Sequence, residues 1–118
     1  MENDPRLSLR LHFAQGLTFG RGKADLLQAI AEEGSISAAG RRLGMSYRRA
    51  WALVEEMNSH FPKPLVDSSR GGAKGGGASV TELGAKVLAE YRALEALLRD
   101  SSQLEALRHA LSDVNDGK

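Results

Sequence analysis

Residues 34–57, GSISAAGRRLGMSYRRAWALVEEM, decide the fold of this chain. They predict two helices separated by a very short connection at Gly44-Met45. Ser37 is the expected N-cap of the first helix, which runs through Leu43. Ser46 is the expected N-cap of the second helix, which runs to about His60. Two short helices joined in this way form a helix-turn-helix, in which the second helix is presented to a partner.

The residues before this stretch predict a small hairpin and a helix. A period of two in the apolar residues indicates a half-buried strand at Leu7, Leu9, Leu11 and Phe13. A turn at Gln15-Gly16 leads to a short second strand over residues 17–19. A helix is expected from Lys23 to Glu33, with Lys23 off its apolar face and Gly34 as the glycine that ends it.

The residues after the stretch predict a second hairpin and a long helix. Pro62 and Pro64 end the preceding helix. Residues 65–68 and 78–80 indicate short strands around a glycine-rich tip that carries Arg70 and Lys74. A linker and a phosphate-binding loop are the alternatives for this tip, but the latter requires Lys followed by Ser or Thr, and Lys74 precedes a glycine. Thr81 is the expected N-cap of a helix from Glu82 to Arg99.

Three helices followed by a hairpin is the order of a winged helix-turn-helix. The sequence therefore predicts a mainly α fold with a small β component, in which strands come first and a long helix follows the wing. Ser102 and Glu105 have the capping-box spacing, which predicts one more helix after a break near Ser101. We expect residues 1–99 to form the winged domain and residues 100–118 to form a helical extension with a frayed tail.

Composition excludes several classes of protein. The 118 residues, 42% hydrophobic and 26% charged, suit one globular domain. The absence of cysteine removes disulfides and thiolate metal sites, and the three histidines are far apart. We expect no catalytic residue, no metal and no cofactor, and therefore no enzyme. Neither a signal peptide nor a membrane span is expected, which favours a cytoplasmic protein.

The formal net charge of +1 hides a basic segment at the helix-turn-helix. Four arginines and no acidic residue lie between Ser37 and Trp51, a local footprint typical of nucleic-acid contact. A solvated helix face is the alternative reading of such a charge run. Trp51 is expected in the core. We expect the groove-entering set to be Ser46, Tyr47, Arg48 and Arg49, and the DNA backbone to be held by Ser37, Arg41, Arg42, Arg70 and Lys74.

Three stretches resemble one known family. They are GSISAA at residues 34–39, MSYRRAW at 45–51 with EMN at 56–58, and the wing GGAKGGGA at 71–78 leading to TELG at 81–84. From Gly34 to about Leu88 the sequence resembles the DNA-binding domain of the ModE family of molybdate-responsive transcription regulators. It is more distantly similar to the N-terminal domain of LysR-type regulators.

The resemblance implies a homodimer that binds double-stranded DNA and acts on transcription. The strand before the matched stretch and the helix after it look like the family's dimerisation elements. From the apolar stripes of the last helices we expect the pairing residues to be Leu94, Leu98, Leu104, Leu107 and Leu111. The alternative is that the edge formed by Leu104, Leu107 and Leu111 folds back on its own domain. The family's oxyanion sites lie in β-barrel domains after this one. Because the chain ends at Lys118, we do not expect it to bind molybdate by itself. Two alternatives stay open: a repressor that senses oxyanion directly or through a partner, and a protein-interaction module without DNA binding.

Overall fold

The computed structural model describes residues 7–69 and 77–116. In chain order the elements are the strands β1 (Arg10–His12) and β2 (Thr18–Gly20), the helices α1 (Arg21–Glu33), α2 (Ile36–Arg42) and α3 (Tyr47–His60), the strands β3 (Val66–Ser69) and β4 (Gly77–Val80), and the helices α4 (Glu82–Arg99) and α5 (Ser102–Asp116). This order is that of a winged helix-turn-helix, so the predicted fold class is confirmed.

Two antiparallel hairpins make up the β component. In the first, Leu11 lies opposite Phe19, and the chain turns at Gly16, whose φ of 90° favours glycine. In the second, which is the wing, Val66 lies opposite Val80 and Ser69 lies opposite Gly77. The first strand is shorter than the alternation of residues 7–13 predicts, because only three residues pair with β2.

The core lies between α1, α2, α3 and the bases of both hairpins. Its largest fully buried side chains are Phe19, Leu26, Leu27, Ile30, Val54, Met57 and Leu65. Tyr91 of α4 closes one side, with its ring edge-to-face on Phe19 at a centroid distance of 5.3 Å. Its hydroxyl donates to the Leu9 carbonyl at 2.6 Å, which ties α4 to the segment before β1. Burial of this hydroxyl raises the pKa of Tyr91.

A polar cluster joins α4 to α1. Arg92 donates to Asp25 and Gln28 of α1, both at 2.8 Å, and to the buried Glu95 at 3.2 Å. The carboxylates of Asp25 and Glu95 raise the pKa of Arg92 against the opposing effect of its burial. These contacts tie α4 to α1.

Several helix ends differ from the predicted ones. Ser37 does not cap α2: the Ser35 hydroxyl accepts from Ala38 N at 3.1 Å, and α2 begins at Ile36, whose side chain is buried. Ser102 does not cap α5 either, because the Ser101 hydroxyl accepts from Leu104 N at 3.1 Å. In both cases the neighbouring serine accepts the hydrogen bond. The predicted caps Ser46 and Thr81 are confirmed.

Candidate nucleic-acid interface

The turn between α2 and α3 brings the two helices into close contact. Gly44 has a φ of 73°, a left-handed conformation that favours glycine. Met45 N donates back to the Gly40 carbonyl at 2.8 Å, which closes the turn. A Cβ at position 40 would lie 3.1 Å from the Ala50 Cβ, so α2 and α3 cross almost backbone to backbone. This tight crossing fixes the direction in which α3 leaves the domain.

The first turn of α3 is exposed and basic. The Ser46 hydroxyl accepts from Arg49 N at 3.1 Å and caps the helix. Tyr47, Arg48 and Arg49 are exposed, and Tyr47 keeps 61% of its accessible surface. Among residues 7–69 and 77–116, neither Arg48 nor Arg49 forms an ion pair. The positive end of the helix dipole adds to their charge, so this turn is suited to an anionic partner.

Tyr47 and Trp51 form an aromatic pair on α3. Their rings meet edge-to-face with a centroid distance of 6.1 Å. Trp51 packs against the core but is half-buried, so the prediction that it is a core residue is only partly right. Because the Tyr47 ring leans on Trp51, its hydroxyl is held at a restricted position on the exposed face.

The two arginines of α2 differ in their surroundings. Arg41 donates to the Ser37 hydroxyl at 3.1 Å, which brings two of the predicted backbone-contact residues together. Arg42 instead forms ion pairs with Glu32 at 2.6 Å and Glu33 at 3.2 Å, at the end of α1. Its guanidinium lowers the pKa of Glu32, and these carboxylates raise the pKa of Arg42. A phosphate would have to compete with both carboxylates for Arg42.

The base of the wing lies beside the helix-turn-helix. Ala78 N in β4 donates to the Gly34 carbonyl, between α1 and α2, at 2.9 Å. Asn58, on α3, makes three hydrogen bonds to the backbone at the start of β3. The predicted wing contacts Arg70 and Lys74 lie outside the described residues.

The sequence did not predict the ion pair between the buried Lys23 and the half-buried Glu56. Lys23 is 7% exposed, and its ammonium donates to Thr18 and to Glu56 Oε2, the latter at 3.0 Å. The pair links α1, β2 and α3. The prediction that Lys23 lies off the apolar face is therefore wrong. Its spacing from Leu27 and Ile30, four and seven residues, is the signal that could have placed it on that face.

The predicted pairing residues lie along the last two helices. Leu94, Leu98 and Leu104 are half-buried, whereas Leu107 is 66% and Leu111 45% exposed. Leu97 is also 68% exposed. None of the described residues of α5 belongs to the core. An apolar groove runs between the first hairpin and α4 and is lined by Leu11, Phe13, Phe61, Leu83, Val87 and Leu94.

Other kinds of site have no support in the part of the chain that the structure describes. No cluster of three potential metal-ligating His, Asp or Glu side chains occurs there. Over the same residues, no helix combines the length and the apolar character that crossing a bilayer requires.

The fold and this exposed basic turn define the class of protein: a winged helix-turn-helix of the kind found in transcription regulators. Residues 23–85 match the model of the bacterial regulatory helix-turn-helix proteins of the lysR family. This match covers more than half of the chain, and the chain belongs to that family.

Similar proteins carry names related to molybdenum or to transcription. The chain is 41% identical over 92 residues to the molybdenum transport protein ModE of Azotobacter vinelandii, covering 78% of this chain and 33% of that protein. It is 46% identical over 81 residues to the molybdenum-pterin-binding protein MopB of Rhodobacter capsulatus, covering 69% and 30%. It is 37% identical over 83 residues to the DNA-binding transcriptional dual regulator ModE of Escherichia coli K12, covering 70% and 32%. The chain thus matches about a third of each relative's length.

Proposed function

We propose that this chain binds specific sites on double-stranded DNA as a homodimer and thereby regulates transcription. The observation that carries the proposal is the first turn of α3, where Tyr47, Arg48 and Arg49 are exposed next to the Ser46 cap. In a winged helix-turn-helix this turn enters the major groove. A DNA ligand would place the working protein in the cytoplasm.

The chemistry of this turn suits base reading. An arginine can donate two hydrogen bonds to O6 and N7 of guanine, and a tyrosine hydroxyl can reach a phosphate or a base edge. Arg48 and Arg49 are available for such contacts because no carboxylate among the described residues neutralises them. Ser37, Arg41 and Arg42 on α2, with Arg70 and Lys74 of the wing, would hold phosphates and set the register of the protein on the duplex.

Exposed leucines support the homodimer. A monomer that leaves Leu97, Leu107 and part of Leu111 in water loses the free energy that their burial would contribute. We assign Leu94, Leu98, Leu104, Leu107 and Leu111 to the contact between two copies. On this view residues 1–99 bind DNA, and residues 100–118 form a pairing extension.

The names of the relatives suggest a link to molybdenum, which we place outside the DNA-reading function of this chain. About two thirds of each relative lies beyond the matched stretch. Residues 23–85 of this chain match the regulatory helix-turn-helix model. We propose that any oxyanion response reaches this chain through another domain or a partner.

Selection from a random duplex pool tests the proposal. The purified chain is titrated against the pool at several salt concentrations, and the bound DNA is sequenced. We expect binding that falls steeply with salt and enriches a two-fold symmetric site with half-sites about 34 Å apart. Arg48→Ala is expected to lose the enrichment, whereas Arg99→Ala, which removes the same charge on α4, is the matched control. Absence of binding at low salt would overturn the proposal and favour a protein-interaction module.

A further inference from the structure

One side chain of α3, that of Asn58, makes three hydrogen bonds to the base of the wing. Asn58 Oδ1 accepts from Leu65 N at 2.8 Å and from Val66 N at 3.1 Å, and its Nδ2 donates to the Val66 carbonyl at 3.0 Å. The amide thus pairs with both backbone groups of Val66, as a neighbouring strand would. It occupies the edge of β3 opposite to β4, since Val66 also pairs with Val80.

Because this contact is buried, each of its backbone groups needs a hydrogen-bond partner. Leu65 is fully buried and Val66 is 3% exposed, so their backbone groups have little access to water. A buried N–H or carbonyl without a partner is costly, and only a side-chain amide offers a donor and an acceptor at this spacing. Aspartate could accept from the two N–H groups but could not donate to the Val66 carbonyl. Leucine could do neither.

The position of Asn58 on α3 relates these hydrogen bonds to DNA binding. Asn58 lies on the same helix as Arg48 and Arg49, ten and nine residues further along, or about 15 Å at the rise of an α-helix. The wing strands β3 and β4 lead to the segment that carries the predicted backbone contacts. A rigid link at Asn58 therefore joins the base-reading element to the backbone-holding element through one side chain.

We propose that Asn58 is a positioning residue that couples the recognition helix to the wing, so that both elements engage DNA as one rigid unit. This inference rests on the proposed DNA-binding function. It assigns Asn58 no contact with DNA. Its effect on binding comes from fixing where the wing lies when α3 is in the groove.

The test is a double-mutant cycle between Asn58→Leu and Lys74→Ala, measured as the dissociation constant for the selected duplex. We expect Lys74→Ala to weaken binding by about fivefold in the unmodified chain and by less than about twofold in the Asn58→Leu background. Asn58→Leu by itself is expected to weaken binding by about tenfold, since it disconnects the wing and loosens α3. Val54→Ala is the matched control, because Val54 is buried on α3 and its truncation destabilises the same helix while leaving the three Asn58 hydrogen bonds to the wing in place.

Each outcome decides the inference. Equal penalties for Lys74→Ala in the unmodified chain and in Asn58→Leu would overturn it, as would a loss of coupling in Val54→Ala. No effect of Lys74→Ala in the unmodified chain would also overturn it. In that case Lys74 would make no contact with DNA, and Asn58 could not act by positioning it. If Asn58→Leu does not fold, Asn58→Asp serves in its place, since it removes only the bond to the Val66 carbonyl. Failure of the unmodified chain to bind any duplex would instead refute the proposed function.

Discussion

Gly84, in the first turn of α4, lies directly against the backbone carbonyl of Leu65, at the entry to β3. A Cβ at position 84 would overlap the Leu65 oxygen, and it would lie 3.0 Å from the carbonyl carbon and 2.8 Å from Val80 Cγ1. Thr81 completes the contact, since its N donates to the same Leu65 carbonyl at 2.9 Å. The long helix and the wing therefore meet at a point where only a hydrogen atom fits.

Gly84→Ala is predicted to destabilise the protein. The methyl group has to displace backbone rather than a flexible side chain, which costs about 1–3 kcal/mol in overpacked sites. Urea denaturation measures the loss. Gly22→Ala, in α1, is the matched control, because a Cβ there meets nothing within 4 Å and the change is expected to be neutral or to stabilise by up to about 1 kcal/mol. Equal stability of Gly84→Ala and the unmodified protein would contradict the close contact.

Arg49→Ala and Lys74→Ala are predicted to act differently on DNA binding. An arginine in the groove reads bases, so Arg49→Ala should reduce the preference for the selected site over a mismatched one by about 1–3 kcal/mol. A lysine on a phosphate is indifferent to sequence, so Lys74→Ala should weaken every duplex and lower the salt slope by about one unit. Anisotropy titrations on matched and mismatched duplexes distinguish the two. Identical effects on all sequences would show that the roles are misassigned.

Removal of the carboxylate beside Arg42 is predicted to tighten DNA binding. Glu32 lies 2.6 Å from Arg42 and competes with phosphate for the guanidinium. Glu32→Gln should therefore raise affinity for all duplexes and steepen the salt dependence, and the gain should vanish when Arg42→Ala is added. Glu90→Gln removes the same charge from α4 and is the control for net charge. Weaker binding by Glu32→Gln would indicate that the carboxylate positions Arg42 for the phosphate.

Leu107→Glu is predicted to dissociate the proposed dimer. Leu107 is 66% exposed in one chain. If two copies bury this position, a glutamate there would have its carboxylate removed from water without a partner, which is costly. Sedimentation equilibrium should show a dimer dissociation constant raised by at least about tenfold. Ala106→Glu adds the same charge to a different face of α5 and should leave the association unchanged. A Leu107→Glu variant that associates as well as the unmodified chain would exclude this part of α5 from the contact.

Molybdate is predicted to leave the melting temperature of this chain unchanged. A ligand that binds only the native state stabilises it by RT ln(1 + [L]/Kd), so the melting temperature of a molybdate-binding chain would keep rising as molybdate is added. Sulfate at equal ionic strength is the control for general salt effects. A rise that increases with molybdate and is absent with sulfate would show that the chain itself holds the oxyanion.

Local signals predicted much of the fold from sequence. Thr81 as a cap and Arg99 as the last residue place α4 with the bounds that the structure shows. The glycines at 34 and 44 mark left-handed turns, which sequence can indicate because few other residues adopt them. The sequence predicted Ser37 as the cap of α2, whereas Ser35 caps it and the helix begins one residue earlier, at the buried Ile36.

The contacts that hold the site together were harder to predict. Glu56, the partner of Lys23, is 33 residues away in the sequence. Asn58 accepts hydrogen bonds from backbone groups seven and eight residues further on, beyond two prolines. Such pairings depend on how helices pack, which periodicity within one helix does not reveal. The exposed arginines of α3 were predicted because their spacing from the turn is local.

The exposed side chains of Arg48 and Arg49 contribute little packing to the helix that carries them, whereas Ala50, Val54 and Met57 are buried. Substitution at the first two positions is therefore nearly free of cost to folding, because surface changes usually alter stability by less than about 0.5 kcal/mol. If these arginines read bases as proposed, sequence preference can change through substitutions here without bringing the domain near the threshold at which it unfolds. The same separation makes this turn a natural place to retarget the protein to new operators by library selection.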